Sequence, residues 1–454
     1  MFDHSKKYGI LGLARSGIAA AFKIKSMGGN CFLSDMKPES EIPDAINLKA
    51  DFECEFGQHS DKLLSCDEWI VSPGIPLTAP IIKLGREHKI KMISELEFGF
   101  QVKADDSKVI AVTGSNGKST TASLIAHIIS QSGKNCILAG NIGDAFCGFP
   151  IEQKGIDFIV LEVSSFQLDL IDSFRPDVAL LLNITPDHLN RYESFNDYAL
   201  SKFNIFRNQN QNDHAVLNMD DEIIRGHTDL VNSKTHYFSL DGFVNQIAEL
   251  EAWTSDSKMV FKDNLECPFD ELQIKGPHNQ ANAMSAVLAC RCAIISDGEI
   301  ISGIKSFTPL KHRLQYIASV NGVEFYNDSK ATNTDSVKYA LLSFEKPIRV
   351  IMGGSDKGED FSVLTSLLKQ KTKKVYLTGD TSDKMRTAWE GHIPVSVVDD
   401  FEACIKLAFH EANKGDVIVL SPACASYDKF RNFEHRGDAF INIVKKLVDD
   451  YEKE

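Results

Sequence analysis

The segment VIAVTGSNGKSTT, at positions 109–121, contains the residue types of a phosphate-binding loop. The usual pattern, G-x-x-x-x-G-K-[ST], lacks its first glycine here because Val112 occupies that position. Backbone N–H groups at a helix start bind phosphate oxygens, while Lys118 adds a positive charge and the Ser119 hydroxyl can reach Mg2+. The apolar run before the glycines predicts a buried strand and the residues after them a helix. We therefore expect an ATP site rather than an ordinary glycine-rich turn.

Three further side chains are candidates for the same site. Glu162 ends the apolar stretch DFIVLE, where nucleotide hydrolases carry an acidic residue that holds Mg2+; a solvated strand-end carboxylate is the alternative. His188, in TPDHLNRY, follows the next apolar stretch and is expected at the same sheet edge, with a structural histidine as the alternative. Lys202 lies in the helical stretch YALSKFNIF. A lysine on a helix is usually a solvated surface residue, so its type alone gives it no role.

Polar residues at the ends of later elements form a second group of candidates. Asn279 and Asn282 lie three positions apart at a helix start, where amides either read a purine edge or cap the helix. The remaining candidates lie in predicted loops: Arg313, Asp328, Lys330, Thr332 and Lys357. A lysine and an arginine beside ATP neutralise the charge that develops on transferred phosphoryl oxygens.

The elements that position these residues form three α/β segments. In the first, the strands YGILG, CFLSD, EWIVSPG and KMISE alternate with helices, as in a doubly wound sheet. Gly9, Gly12 and Gly17 are expected in its first strand-to-helix turn, and Asp35 ends its second strand. The spacing GLARSG differs from G-x-G-x-x-G and is weak evidence for NAD. The tripeptide SPG at 72–74 closes a later strand, on the edge where such sheets bind ligands.

The other two segments follow a polar break at KADDSK, positions 103–108. The second contains DFIVLEVSSFQL and DVALLLNITPDHL, whereas 220–275 is less regular and has no recognisable chemistry. After SGIKSFTPLKHR the strand pattern restarts with RVIMGG, KKVYLTGD and DVIVLSPA. We predict an α/β fold with a Rossmann-like domain at 1–104, a central P-loop-type ATPase domain at 105–308 and a smaller Rossmann-like domain at 309–454.

Composition excludes several classes of protein. A chain of 454 residues is too long for one hydrophobic core. No apolar run approaches the roughly 18 residues that a membrane span needs, so we expect a cytoplasmic protein. The net charge of -14, with no basic stripe, argues against nucleic-acid binding. Ten cysteines without C-x-x-C spacing fit neither a zinc knuckle nor a disulfide framework, and indicate reduced, mostly buried thiols.

Seven motifs, in order, resemble those of the Mur ligases of peptidoglycan synthesis along the whole chain: TGSNGKST, EVSSFQL, NITPDHLNRY, HNQANA, HR, NDSKATN and GGSDKGEDF. The family's ATP loop also lacks the first glycine. The early SPG and the segment LSPACASYDKFRNFEHRGDAF are most similar to the branch that adds D-glutamate to UDP-N-acetylmuramoyl-L-alanine. The resemblance implies domains for the UDP-substrate, for ATP and for the amino acid. It also implies that ATP phosphorylates the substrate carboxylate and that the amine of D-glutamate attacks the acyl phosphate.

The resemblance also implies a role for each matching residue. For ATP these are Gly114, Ser115, Asn116, Gly117, Lys118, Ser119, Thr120, Asn279, Asn282, Arg313, Asp328 and Lys330. For Mg2+ they are Ser119, Glu162, His188 and Lys202 as a carbamate, and the catalytic group is Lys118, Glu162, His188 and Lys202. For the UDP-substrate they are Ser16, Asp35, Ser72, Gly74, Asn141 and His188. For D-glutamate they are Thr332, Lys357, Ser426 and Phe433, the last through its backbone. We expect a monomer with small-molecule substrates and neither nucleic-acid nor membrane partners.

Four alternatives remain open at this point. A sibling Mur ligase would add L-alanine or a diamino acid, and a folylpolyglutamate synthase-like ligase would need no uridine-binding domain. A dehydrogenase built on the first segment would change the absorbance of NAD(P)H without using ATP. A binding or regulatory protein would have no turnover, although a pure binder needs no set of metal-ligating side chains.

Overall fold

The computed structural model describes residues 2–187, 191–240, 250–263, 265–274, 276–356 and 358–451. His188 and Lys357 lie outside these ranges. The chain divides into two compact units. The first comprises Met1–Glu271 and Ala281–Ser306, and the second comprises Leu272–Gln280 and Phe307–Glu454.

The first unit begins with a parallel sheet that has, within the described residues, five strands in the order β3-β2-β1-β4-β5. Its strands are β1 (Lys7–Leu11), β2 (Asn30–Asp35), β3 (Glu53–Phe56), β4 (Glu68–Val71) and β5 (Lys91–Ser94). Its helices are α1 (Arg15–Ser26), α2 (Ala45–Asp51), α3 (Pro80–Glu87) and α4 (Glu95–Val102). Strands β2 and β3 are added on one side of β1, and β4 and β5 on the other. The strand order therefore reverses between β1 and β4, and the carboxyl ends of the strands at such a point are the usual ligand site of these sheets.

A second sheet in the same unit has nine described strands in the order β14-β13-β12-β11-β10-β9-β6-β8-β7. They are β6 (Lys108–Thr113), β7 (Cys136–Gly140), β8 (Phe158–Glu162), β9 (Val178–Leu181), β10 (His214–Asn218), β11 (Lys234–Ser239), β12 (Leu250–Ser255), β13 (Lys258–Phe261) and β14 (Glu266–Pro268). The helices are α5 (Lys118–Gln131), α6 (Ser165–Leu168), α7 (Phe195–Phe203), α8 (Glu222–Arg225), α9 (Pro277–Cys292) and α10 (Asp297–Ser306). The first four residues of α9 belong to the second unit. Strands β6 to β12 are parallel, and β13 and β14 extend the sheet antiparallel.

The second unit contains a sheet with six described strands in the order β15-β16-β20-β17-β18-β19. They are β15 (Gln315–Val320), β16 (Val323–Asn327), β17 (Ile348–Met352), β18 (Thr372–Leu377), β19 (Val395–Val397) and β20 (Val417–Leu420). Its helices are α11 (Thr334–Leu342), α12 (Thr365–Lys371), α13 (Ser382–Trp389), α14 (Phe401–His410) and α15 (Phe433–Tyr451). All neighbours are parallel except the β15–β16 hairpin, and the central strands are fully buried.

The predicted α/β class with parallel sheets is confirmed, and three details of the prediction are wrong. Gly9 lies inside β1, facing the Trp69 ring, and Gly17 lies in α1, so only Gly12 belongs to the first turn. The segment 220–275 is not irregular, because its described part contains β11 to β14. Strands β3, β7, β10, β15, β16 and β19 were not predicted. The domain boundaries at 104 and 308 stay a prediction.

The cysteines and the helices complete the description. All ten cysteines are described and are free thiols, and most are buried, as expected. Of the helices in the described ranges, none combines the length and the apolar character that crossing a lipid bilayer requires.

Candidate active site

The phosphate loop connects β6 to α5, as predicted from its glycines. Gly117 precedes the helix with φ +86°, a left-handed conformation that favours glycine. A Cβ at this position would lie 2.3 Å from Asn282 Oδ1, so the loop also needs glycine for space. Ser119 and Thr120 are buried in the first turn of α5, whose amides face the loop.

Asn183, which was not predicted, holds this loop in shape. Its Oδ1 accepts a hydrogen bond from the Asn116 backbone N–H at 2.8 Å, and its Nδ2 donates to the Asn116 carbonyl at 3.0 Å. The Ser115 backbone N–H donates to the Asn183 carbonyl at 2.9 Å. Ser115 and Asn116 therefore fix the loop conformation through these groups, and their contacts with ATP stay predictions. Asn183 lies two residues after the end of β9, in the same segment NITPDHLNRY that contains His188.

A second unpredicted contact orders the same loop through its serine. Ser115 Oγ donates to the Thr185 carbonyl at 2.9 Å and accepts from the Thr185 N–H at 2.9 Å. It also lies 3.0 Å from the Tyr198 hydroxyl of α7. The Ser115 side chain is thus used within the protein and positions the loop.

Two lysines meet at one carbonyl oxygen of the loop. Lys118 Nζ donates to the carbonyls of Gly114 and Ser115, both at 2.8 Å. Lys202 Nζ, from α7, donates to the same Gly114 carbonyl at 2.9 Å and lies 4.5 Å from the centre of the Tyr198 ring. The Lys202 side chain is only 2% exposed, which corrects the expectation of a solvated surface lysine. Burial, reinforced by the neighbouring Lys118 charge, lowers the pKa of Lys202 well below its usual range.

Glu162 lies at the end of β8, directly beside the loop strand, because it pairs with Val112 of β6. It is 2% exposed, and its Oε1 accepts a hydrogen bond from Asn141 Nδ2 at 2.9 Å. The Asn141 N–H also donates to the Glu162 carbonyl at 2.8 Å. Asn141, predicted to bind the UDP-substrate, therefore lies beside the candidate metal ligand.

Predicted UDP-substrate residues gather at the carboxyl edge of the first sheet. Ser16 Oγ and Ser72 Oγ are 3.4 Å apart, and the Asp35 carboxylate accepts from the backbone N–H groups of Leu13 and Lys37 at 2.6 and 2.8 Å. Asp35 thus shapes the loop that follows β1. Arg191 belongs to the segment NITPDHLNRY, and its guanidinium donates a hydrogen bond to the Gly74 carbonyl at 3.2 Å. The roles of these residues in binding stay predictions.

Asp328 is the central buried carboxyl of the second unit. It follows β16, and it accepts from Ser421 Oγ at 2.9 Å and from the Leu314 N–H at 3.2 Å. Burial raises the pKa of Asp328 to about 7, although these hydrogen bonds and the charges of Arg313 and Arg436 oppose the shift. At neutral pH the group therefore lies near its titration midpoint.

The other candidates of this unit lie in three places: in the loop after β16, in the segment from β20 to the start of α15, and in the first turn of α9. Lys330 Nζ lies 3.9 Å from the centre of the Phe433 ring. The Phe433 carbonyl accepts from Ser329 Oγ at 2.8 Å, so this backbone oxygen is engaged within the unit. Ser426 is buried and Thr332 is half-buried. In the first turn of α9, the Asn279 N–H donates to the Gly276 carbonyl at 3.0 Å.

Arg436 ties these loops together; it lies in the segment LSPACASYDKFRNFEHRGDAF, but no role was predicted for it. Its guanidinium is buried and donates to Ser329 Oγ at 3.0 Å and to the carbonyls of Ser329, Cys424 and Ala425 at 2.9 to 3.2 Å. Burial lowers the pKa of Arg436 to about 10, so it remains a cation at neutral pH. It lies in the helical stretch of α15, where an arginine has no distinguishing signal in the sequence.

Comparisons with known proteins identify the family. The model of the Mur ligase middle domain matches residues 112–290, and that of the Mur ligase glutamate ligase domain matches 312–424. A protein of Koribacter versatilis named UDP-N-acetylmuramoylalanine–D-glutamate ligase is 38% identical over 455 residues, covering 99% of each chain. A protein of Cytophaga hutchinsonii with the same name is 40% identical over 452 residues, covering 98% of this chain and 100% of its own. The chain belongs to the Mur ligase family.

A solved Mur ligase structure shows the same fold. The MurF ligase of Thermotoga maritima in complex with ADP has a TM-score of 0.62 and 16% identity, covering 92% of this chain and 95% of its own. The family resemblance inferred from the motifs and the three-domain α/β architecture are thereby confirmed.

The residues of this Mur ligase fit a magnesium ion. Mg2+ prefers oxygen ligands. The Ser119 hydroxyl lies in the first turn of α5, directly after the phosphate loop, and the Glu162 carboxylate lies at the end of β8, which pairs with β6. Both side chains are buried, which strengthens their attraction to a cation. Lys202 fits a carbamate, because its lowered pKa favours the neutral amine that reacts with CO2.

Proposed function

We propose that this Mur ligase uses ATP to join D-glutamate to UDP-N-acetylmuramoyl-L-alanine in peptidoglycan synthesis. The observation that carries the proposal is the identity of 38–40% with proteins of that name over nearly the whole chain. The partly buried Lys118 and the buried Lys202, which share the Gly114 carbonyl, support the ATP-dependent chemistry.

The reaction has two steps. A carboxylate oxygen of the UDP-substrate attacks the terminal phosphorus of ATP, and ADP leaves. The amine of D-glutamate then attacks the acyl carbon, the amide bond forms and phosphate leaves. Both steps bring negative groups together, so positive charge must offset their repulsion.

Residues around the phosphate loop supply part of that positive charge. The amides at the start of α5 and the Lys118 ammonium would bind phosphate oxygens, and Asn183 would hold the loop in the receptive shape. Bound Mg2+ would screen the phosphate charge and orient its oxygens. We assign its ligands to Ser119 and Glu162, with a second ion near His188 and Lys202.

Carbamylated Lys202 is part of this proposal. The side chain is buried beside Lys118, and CO2 reacts with the neutral amine that such burial favours. The carbamate would replace a cation by anionic oxygen ligands, the type that Mg2+ prefers. Its negative charge would also complement the Lys118 ammonium.

We assign the carboxyl edge of the first sheet to the UDP-substrate and the loops of the second unit to D-glutamate. Ser16, Asp35, Ser72 and Gly74 form the first group, to which we add Asn141, beside Glu162 in the second sheet, and His188. Thr332, Lys357, Ser426 and Phe433 form the second. Asn279, Asn282, Arg313, Asp328 and Lys330 would complete the ATP site. We also propose that the enzyme is a monomer. We place it in the cytoplasm, where ATP and the UDP-substrate are available.

Phosphate release tests the function directly. The purified chain receives ATP, Mg2+ and UDP-N-acetylmuramoyl-L-alanine, together with D-glutamate, L-glutamate, L-alanine or a diamino acid in separate reactions. We expect phosphate release in step with amide product for D-glutamate alone, and none for Lys118→Ala. Release with a different amino acid would replace the proposed acceptor, and no ATP consumption with any of them would overturn the ligase assignment.

A further inference from the structure

Two histidines and a cysteine come together on the side of the nine-stranded sheet opposite the phosphate loop. His214 opens β10, His236 lies early in β11, and Cys292 is the last residue of α9. The phosphate loop follows the carboxyl end of β6, and these strands run parallel to β6, so the cluster lies towards their amino ends. One ring nitrogen of each histidine and Cys292 Sγ lie within 4.8 Å of one another, and all three residues are partly buried.

The hydrogen bonds define the protonation of the two rings. His236 Nδ1 lies 2.8 Å from a Glu251 carboxylate oxygen and therefore donates its proton there. His236 Nε2 then carries a lone pair, and His214 Nδ1 lies 2.8 Å from it. The His236 Nε2 lone pair therefore accepts the His214 Nδ1 proton, and it becomes available to a metal ion once that proton leaves.

Glu251 reaches His236 because the sheet is irregular at that point. In the β11–β12 pairing, Tyr237 is opposite Leu250 and Phe238 is opposite Ala252, so Glu251 is an additional residue in β12. Such a bulge redirects a side chain. A carboxylate that orients a histidine from behind is the common support of histidine ligands in metal sites.

The donor set favours zinc over magnesium. Imidazole nitrogen and thiolate sulfur are the ligands that Zn2+ selects, whereas Mg2+ prefers oxygen. Zinc lies about 2.0–2.1 Å from nitrogen and about 2.3 Å from sulfur, so ligand atoms bound to one ion are about 3.3–3.6 Å apart at a tetrahedral angle. To bind one ion, His214 Nδ1 and His236 Nε2, now 2.8 Å apart, must separate slightly. The Cys292 sulfur, which lies within 4.8 Å of the ring nitrogens, must come to about 3.6 Å from them.

We propose that His214 Nδ1, His236 Nε2 and Cys292 Sγ bind one Zn2+ ion, with Glu251 supporting His236. On binding, the His214 proton moves from Nδ1 to Nε2 by exchange with water, and the Cys292 thiol proton passes to solvent. A fourth position is left for water. The ion would fasten the end of α9 to β10 and β11, in the same helix that carries Asn282 beside the phosphate loop.

Zinc binding to the full-length chain tests the site. The chain is stripped with a chelator and titrated with Zn2+ in excess Mg2+, which occupies the oxygen ligands of the active site. We expect one equivalent of zinc for the wild type and loss of that equivalent in Cys292→Ser and His236→Gln. In Glu251→Gln the affinity should fall roughly 10- to 100-fold. Cys54→Ser, which removes a partly buried thiol of the first sheet, is the matched control and should bind normally.

Cobalt provides a readout specific for the sulfur ligand. Co2+ bound to a thiolate has a near-ultraviolet charge-transfer band, which should appear in the wild type and in Cys54→Ser but not in Cys292→Ser. Circular dichroism checks that each variant is folded. Absence of zinc binding by the wild type, or an unchanged equivalent and cobalt band in Cys292→Ser, would overturn the proposal.

Discussion

At the scale of single residues, the phosphate-loop site depends on two amino groups that share the Gly114 carbonyl. Lys118 and Lys202 both donate to it, and each positive charge opposes the other. Burial determines which of the two lysines is neutral. A buried Lys202 ammonium lacks the hydration it would have in water, and one hydrogen bond does not replace that hydration. The site therefore has one lysine suited to binding phosphate and one suited to reacting with CO2.

Replacing Lys202 by methionine tests this division of roles. We expect phosphate release to fall about 100-fold or more, because an anionic ligand would be lost from the reacting centre. With 13C-labelled bicarbonate, the wild type should show a carbamate carbon signal that Lys202→Met lacks. The control is Lys103→Met, which removes another lysine that donates to backbone carbonyls, those of Ala104 and Ser107. Full activity of Lys202→Met would contradict the role.

Asp328 makes stability depend on pH. Its native pKa is about 7 whereas the ordinary value for an aspartate is 3.8, so the native state retains a proton that the unfolded state has lost. Between these values the free energy of unfolding falls as pH rises, by about 2 kcal/mol from pH 5 to pH 7 and little beyond. Asp328→Asn should remove this dependence, so the variant should gain stability relative to the wild type at pH 8 compared with pH 5.

Denaturant unfolding at pH 5 and pH 8 measures the effect of Asp328→Asn. The control is Asp438→Asn, at a carboxylate whose side chain is 61% exposed. The same stability difference between Asp328→Asn and the wild type at both pH values would show that the buried carboxyl does not titrate in this window.

At the scale of elements, the active site depends on the order β9-β6-β8, next to the β7 edge of the second sheet. That order brings Asn183, the phosphate loop and Glu162 to one edge, and α5 starts there. Helix α9 adds Asn282 beside Gly117. The loop is therefore fixed from both sides before any nucleotide binds.

Gly117→Ala tests the fit between the loop and α9. The new methyl group would lie 2.3 Å from Asn282 Oδ1, so we expect the Kd for ATP to rise at least about 10-fold as the loop shifts. Gly133→Ala is a close control, because Gly133 follows α5, the helix that Gly117 precedes. Gly133 has φ +76°, and an added methyl group there would meet nothing within 4 Å. Both variants should lose about 1 kcal/mol of stability from backbone strain. Equal ATP affinities, measured by calorimetry, would contradict the steric argument.

The sequence predicted the elements that have a strong local signal. Strands β6 and β8 and helix α5 are buried, and their apolar residues are continuous or helically spaced. Strand β3, ECEF, and strand β19, VSV, are short and only partly buried, so no apolar run marks them. Strands β11 and β12 lie outward in the sheet and have mixed exposure, which explains why 220–275 was interpreted as irregular.

The candidate site was predicted where chemistry and chain position agree, as for Lys118 and Glu162. Asn183 and Arg436 lie in motifs that the sequence shows, but their roles were missed because they bind backbone groups far away in the chain, those of Asn116 and Ser329. Such contacts depend on tertiary structure, and neither residue type has a characteristic spacing. The histidine and cysteine cluster was missed for the same reason, since its members come from two strands and a helix.

At the scale of the whole molecule, the first two sheets share a continuous hydrophobic core. One cluster of buried side chains extends from Ile10 of β1 through Phe98 of α4 to Leu217 of β10. The Glu97 carboxylate adds to it by accepting from the backbone N–H groups of Asp172, Ser173 and Phe174 at 2.8 to 2.9 Å. The first two predicted domains are therefore tightly joined within the first unit.

Glu97→Ala tests that connection. It would remove the shared acceptor of three backbone N–H groups, including the buried one of Phe174, and we expect a loss of about 3 kcal/mol in the free energy of unfolding. Limited proteolysis should then cleave near residue 104, separating the first sheet. The control is Glu87→Ala, at an exposed position at the end of α3. Unchanged stability and protease resistance would show that the apolar core alone joins the two sheets.

The outermost described strand of the nine-stranded sheet, β14, has only three residues and ends in Pro268. Proline cannot donate a backbone hydrogen bond, and the neighbouring Glu266 is charged and paired with Lys258 at 2.6 Å. A strand from another molecule would find few partners there. The β14 edge therefore disfavours edge-to-edge pairing between enzyme molecules at high concentration.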